Sequence, residues 1–286
     1  MIDLHTHSTA SDGTSTPSEL IEEAVKTKLY AIALTDHDTV SGLKEFEEKA
    51  KDIGFSGAVS GVELSVRLRE NSVHLCGLFI NRKCEELISL LRWIRNKRDE
   101  RNKKIIHNFN KLGYKITCEE LNDTAVGESQ GRPHMARILV SKGYFSDIQE
   151  VFDKLLKKGK DVYVERELPS PEMAVNIIKI AGGLPIWAHP FANKNIDRRS
   201  FRQDLKYLKS LGLVGIEAYY STYTREIQDY LVSVANEENM LISGGSDYHG
   251  QLMDSVKLGK GMGGLSIPDE IFENLRNKYL SSISGK

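Results

Sequence analysis

Short apolar runs recur along this chain, each closing on a polar cluster, with stretches of helical periodicity between them. Ile2-Asp3-Leu4 leads directly into His5-Thr6-His7, a strand-like opening. Thr16-Pro17-Ser18-Glu19 then signals a helix start, with Thr16 as cap, Pro17 in the first helical position and Glu19 placed to close a capping box. That helix is expected to bury Leu20, Ile21, Ala24 and Val25. Tyr30 to Leu34 predicts a buried strand ending at Thr35-Asp36-His37-Asp38, and a second helix covers roughly 41 to 53. A third strand runs from Ala58 and ends at Glu63. Arg69 to Ser72 reads as a turn, and Val73 to Phe79 as the strand after it.

The rhythm changes near residue 85. Leu87, Leu91, Ile94, Ile105, Phe109 and Leu112 fall at helical spacing, yet Arg95 to Lys104 contains no apolar residue. That part must be solvated, bent, or spanning between two bodies. Helical patterns follow at 118–121, 133–142 and 147–158, and no strand of core quality comes before Val162-Tyr163-Val164. Residues 95–165 therefore read as an all-helical insertion subdomain. The alternation then resumes. Ser170-Pro171-Glu172 opens a helix ending at Gly182-Gly183, and Leu184 to Ala188 leads to His189-Pro190. A helix near 201–210 precedes the run Leu213 to Ala218, and another near 224–238 precedes Met240 to Ser243 and then Gly244-Gly245-Ser246-Asp247-Tyr248-His249. Pro268 to Tyr279 is the closing helix. Residues 1–94 and 166–286 thus form an α/β unit, a barrel or a doubly wound sheet.

Composition adds constraints. A chain of 286 residues with 40% hydrophobic and 28% charged residues is an ordinary soluble globular protein, long enough for one α/β barrel. Its net charge of -1 creates no global field for nucleic acid or a membrane surface. Cys76, Cys84 and Cys118 form no C-x-x-C pair and read as free thiols in a reducing compartment. No apolar run approaches a membrane span, and no basic or apolar leader precedes the strand at residue 2. These features point to a cytoplasmic protein with no membrane association and no obligate protein partner.

The candidate chemistry lies where the strands end. His5 and His7, two apart on an extended chain, share one face. Chance supplies about 0.2 such pairs at this histidine content, so the pair matters only if other ligands join it. Asp12 lies in the following loop; Asp36, His37 and Asp38 follow the second strand; Glu63 ends the third; His189, Asp247 and His249 follow later ones. In an α/β barrel these ends share one rim, and the residues converge. Asp12 and Asp38 also suit helix capping, and His74 could be a satisfied core histidine. His74 sits at the start of its strand, the wrong end for parallel topology, unless a hairpin at 69–72 reverses that strand. Glu63, closing an apolar strand, needs a partner or a cation.

The stretches Asp3-Leu4-His5-Thr6-His7, Ser11-Asp12-Gly13, Thr35-Asp36-His37-Asp38, Gly61-Val62-Glu63, Val73-His74-Leu75, Ala188-His189-Pro190 and Ser246-Asp247-Tyr248-His249 closely resemble the PHP (polymerase and histidinol phosphatase) domain family. The resemblance implies a distorted (β/α)7 barrel, TIM-barrel-like, with a trinuclear metal centre. One metal would take His5, His7, Glu63 and Asp247. A second would share Glu63 and add His74 and His189. A third would take Asp12, His37 and His249. Asp12 stands where some members have histidine. The mixed nitrogen and oxygen ligands suit two to three divalent ions of manganese, iron or zinc. Asp36 and Asp38 are candidates to orient the ligands from behind, or to cap the next helix. Such a centre hydrolyses phosphate esters through a hydroxide held by the metals, without a serine or cysteine nucleophile.

Gly131-Arg132-Pro133-His134 places Arg132 and His134 at a helix start, a fit for an anion. This stretch and Leu156-Lys157-Lys158-Gly159-Lys160 resemble PHP proteins that act on nucleotides: nucleoside 3′,5′-bisphosphate phosphatases and 5′-to-3′ exoribonucleases acting on short RNA. Arg132, His134 and Lys160 are the substrate-binding candidates. The alternatives are a histidinol-phosphate phosphatase, and a non-catalytic polymerase-associated or metal-binding PHP module.

Overall fold

Among the described residues, seven strands form one sheet whose order follows the chain: β1 (Ile2–Thr6), β2 (Ala31–Leu34), β3 (Ala58–Leu68), β4 (Asn71–Leu78), β5 (Leu184–Ala188), β6 (Gly215–Tyr220) and β7 (Leu241–Gly245). The computed structural model describes residues 1–123, 131–192, 196–253 and 255–284. The sheet curls until its ends meet. Thr6 and Tyr248 form a parallel bridge, Asp247 N–H donates to His5 C=O at 2.9 Å, and His7 N–H donates to Tyr248 C=O at 2.9 Å. The result is a nearly closed seven-stranded barrel wrapped by helices.

All neighbouring strands are parallel except at β4, which runs antiparallel to both β3 and β5. The expected hairpin is present, and Arg69 takes the left-handed backbone (φ 53°) that so tight a turn requires. Reversal puts His74 opposite Ser65 and Ala188, beside His189. Glu63 does not end its strand: β3 continues to Leu68. Beyond β2 the hairpin projects past the rim as a ribbon, and Arg67 N–H donates to Pro169 C=O of the returning chain at 2.9 Å. Glu63 nonetheless sits at rim height, bridged to His37.

The helices follow their sequence signals. α1 (Pro17–Lys26) starts with the Thr16/Glu19 capping box, although Val25 lies off the buried stripe and is exposed. α2 spans Leu43–Asp52. α3 (Glu85–Lys111) is one unbroken helix about 40 Å long. Its first turns bury Leu87, Leu91 and Ile94 against the barrel's helical layer, and its last turns bury Ile105, Ile106 and Phe109 in a separate apolar cluster. α4 (Cys118–Asp123), α5 (Arg132–Ser141) and α6 (Ile148–Val151, continued by a π-helical turn Phe152–Leu156) complete that second cluster. Val162 to Val164 is no strand: Val162 is buried in the same cluster, but the segment has no ladder partner. α7 (Pro171–Ile180), α8 (Arg198–Leu211), α9 (Arg225–Glu237) and α10 (Asp269–Ser284) complete the fold. No helix among the described residues is long and apolar enough to cross a membrane.

Candidate active site

The rim loops are tied down by buried carboxylates. Asp36 accepts hydrogen bonds from Ser8 N–H (2.7 Å), Ser8 Oγ (2.7 Å) and Ser11 Oγ (2.6 Å), and so folds the turn that presents Asp12. The turn is tight enough that a Cβ at Gly13 would lie 2.5 Å from the His7 carbonyl oxygen, so glycine is required. Asp38 accepts from Ser65 N–H (2.9 Å) and pairs with Arg98 (2.5 Å) and Arg166 (2.7 Å). Neither aspartate caps α2, whose N-cap is Gly42.

Glu63 is the hub. It is fully buried, and five imidazoles crowd its carboxylate: His74 Nδ1 at 2.8 Å, His189 Nε2 at 2.9 Å and His5 Nε2 at 3.3 Å from Oε1, with His37 Nδ1 at 2.7 Å and His7 Nε2 at 3.4 Å from Oε2. Asp247 Oδ1 lies 3.0 Å from His7 Nε2 and 3.6 Å from His5 Nε2. Asp12 Oδ1 lies 3.4 Å from His249 Nε2, and the His7 and His249 rings stack at 4.1 Å. The nine sequence candidates thus meet in overlapping groups: His5, His7 and Asp247; His5, Glu63 and His189; His37, Glu63 and His74; His7, Asp12, His37 and His249.

The electrostatics call for positive charge. Burial opposes charge on His37, yet Glu63 and Asp12 hold it up to about 10. Burial, with His249 and His37 alongside, drives His7 down to about 3, leaving a neutral imidazole suited to ligation. Against burial, His37, His74 and His5 hold Glu63 well below the carboxylate range. His5 Nε2, both His7 ring nitrogens, His74 Nδ1, Glu63 Oε2 and Asp247 Oδ1 are buried without an aligned hydrogen-bond partner, despite the short distances. Donor lone pairs converging on shared space fit divalent cations of borderline hardness.

Beside this centre lies a group of arginines, of which only Arg132 stands out in the sequence. Arg98 and Arg101 on α3 are buried, and with Arg166 and the half-buried Arg132 they form one cluster. Burial and the like charges of Arg166, Arg132 and Arg98 push Arg101 down to about 9. It hydrogen-bonds the neutral Asn102 Oδ1 at 2.8 Å, while its Nε and that of Arg166 are buried without a partner. Its Nη2 lies 3.7 Å from the Cβ position of Gly131, at the N-terminus of α5. Arg132 donates to Leu156 C=O at 3.2 Å and stacks near Tyr163. His134 Nδ1 accepts from Gly131 N–H at 3.3 Å, which leaves Nε2 as its outward donor. Asp12 acts electrostatically on both His134 and Arg98, so the cluster adjoins the centre. Lys160 is exposed on a turn.

Comparison with known proteins agrees with this geometry. A 5′-3′ exoribonuclease from Haemophilus influenzae is 33% identical over 86% of this chain and 89% of its own length. A 3′,5′-nucleoside bisphosphate phosphatase from Chromobacterium violaceum is 33% identical over 87% of each. Among solved structures, an amidohydrolase from Chromobacterium violaceum with bound sulfate superposes with a TM-score of 0.81 at 30% identity, covering 97% of this chain and 96% of that one. One from Bifidobacterium adolescentis, described as a metal-dependent phosphoesterase, gives 0.80 at 26% identity over the same shares. The PHP domain model matches residues 3–167. With that match, and with relatives aligned along most of its length, the chain belongs to the PHP domain family.

Proposed function

We propose that this chain is a metal-dependent phosphoesterase acting on nucleotides that carry two phosphates: nucleoside 3′,5′-bisphosphates, which it converts to the 5′-monophosphate and inorganic phosphate, and short 5′-phosphorylated RNA. The observation that carries the reading is the apposition of two sites. One is a convergent set of imidazoles and carboxylates; the other is a buried cluster of guanidinium groups beside it, in which like charges surround Arg101. His5, His7, Glu63, Asp247, His74, His189, Asp12, His37 and His249 would hold two to three ions of manganese, iron or zinc. When bound, such ions lower the pKa of water and neutralise phosphoryl oxygens. The protein's own groups do the rest. Arg101, Arg132 and Arg166 would grip the phosphate that is not cleaved, with His134 Nε2 donating between the two sites. Lys160, exposed, would meet substrate only at its outer edge. Residues 95–165 serve as the substrate-recognising subdomain and 1–94 with 166–286 as the catalytic barrel of a cytoplasmic enzyme.

Phosphate release from adenosine 3′,5′-bisphosphate in the presence of manganese tests this reading. Turnover should vanish after chelation, return with the metal, and exceed that on 3′-AMP or histidinol phosphate. Absence of turnover on bisphosphates and short RNA with any of the three metals would refute it.

Arg101 offers a second check. Arg101→Met should raise KM for the bisphosphate about 10- to 100-fold, equivalent to about 1.4–2.7 kcal/mol. The same change should raise thermal stability, because it removes a buried charge surrounded by like charges. A function-specific loss joined to a stability gain marks a binding residue.

A further inference from the structure

Each barrel strand except β6 carries one of the nine candidate ligands or leads directly into one. β6 instead carries two polar side chains that face those ligands from behind. Glu217, on the apolar run Gly215-Ile216, is 2% exposed. Its Oε1 lies 3.0 Å from His5 Nδ1, and its Oε2 accepts the backbone N–H of His189 at 2.7 Å. His189 has a left-handed backbone, φ 28°, unusual for a residue with a Cβ. Tyr220 Oη donates to Asp247 Oδ2 at 2.9 Å and so turns Oδ1 toward His7.

From this arrangement we infer that Glu217 is a positioning residue for the metal centre, setting the tautomer of His5 and the backbone of His189 with one carboxylate. This inference rests on the metal reading above. With Nδ1–H donated to Glu217, the lone pair of His5 lies on Nε2, which faces Glu63 and Asp247. The other oxygen holds His189 in its strained conformation, with its ring toward Glu63. One carboxylate therefore couples both histidines of the His5, Glu63 and His189 group.

Glutamine cannot do both. Its single oxygen is needed by the His189 N–H, so its NH2 would face His5 Nδ1. His5 would then have to accept there and carry its proton on Nε2, which disables the ligating atom. Manganese titration of metal-free wild type, Glu217→Gln and Glu217→Asp, followed by desalting and elemental analysis, separates the outcomes. The expected result is a 10- to 100-fold loss of affinity for at least one equivalent in Glu217→Gln, on the scale of about that size for partners of metal-bound histidines. The melting temperature of the metal-free protein should be nearly unchanged. Unchanged manganese affinity in Glu217→Gln overturns the inference, as does a lowered metal-free melting temperature with affinity intact. A wild type that binds no manganese, iron or zinc would instead refute the metal reading itself.

Discussion

Glu63→Gln should abolish phosphoesterase activity, by about 10³-fold or more, or at least ~4 kcal/mol of transition-state stabilisation. Five imidazole nitrogens lie within 3.4 Å of this carboxylate, which has no exposure to solvent. Its two oxygens face different histidines: Oε1 faces His5, His74 and His189, and Oε2 faces His7 and His37. Among the described residues it is the carboxylate that would hold cations on both sides. Glutamine preserves the shape but removes the charge, and its NH2 offers no lone pair to a metal. Elemental analysis should show fewer ions per chain, and excess manganese should not restore the wild-type rate. Circular dichroism should show the fold intact, since packing at the hub is conserved. A variant that retains its metals and its turnover would remove Glu63 from the centre.

Much of this site is legible in the residues alone, and the exceptions have physical reasons. His5, His7, His37, His189, Asp247 and His249 fall at strand ends, where barrel topology makes sequence position a guide to spatial position. His74 became intelligible only through the hairpin, since one reversed strand exchanges the two ends of its neighbourhood. Glu63 is assigned to the right place for a partly wrong reason. β2 stops at the rim while β3 runs on, because the ribbon finds backbone partners in the returning chain. Val162 to Val164 looks like a strand because a buried connection carries the same apolar residues.

Arg98 and Arg101 are hidden by composition. Arg95 to Lys104, with nothing apolar in it, reads as solvated, bent or spanning between two bodies; the helix does run between two apolar clusters, and its buried stripe passes unbroken from Ile94 through Arg98, Arg101 and Asn102 to Ile105. Spacing alone reveals that stripe once the helix is taken as continuous. Glu217 could have been found by the reasoning that singles out Glu63: Gly215-Ile216-Glu217 repeats Gly61-Val62-Glu63, an acid on an apolar strand that must find a partner.

The second large effect is on stability. Asp38→Asn should cost about 3–5 kcal/mol, the range for removing one partner from a buried ion pair. Asp38 is 5% exposed, and Arg98 and Arg166, held by its Oδ2, share the cluster with Arg101 and Arg132. Asparagine can still accept the Ser65 N–H, so the backbone turn survives while the negative charge is lost. Four guanidinium groups would then face one another without that counter-charge. The direction with pH follows. Burial opposes ionisation, but Arg166 and Arg98 prevail and hold Asp38 at about 2. Because this lies below the unfolded value of about 3.9, the contribution is complete above that value and is lost as pH falls through about 2. The wild type should therefore lose about 2.6 kcal/mol of its advantage over Asp38→Asn across that acid window. Added sulfate or phosphate should raise the melting temperature of Asp38→Asn more than that of the wild type, since an anion can take the vacated role among the arginines. Equal melting temperatures for the two proteins at neutral pH would show that the cluster is neutralised elsewhere, and the anion pocket would lose its physical basis.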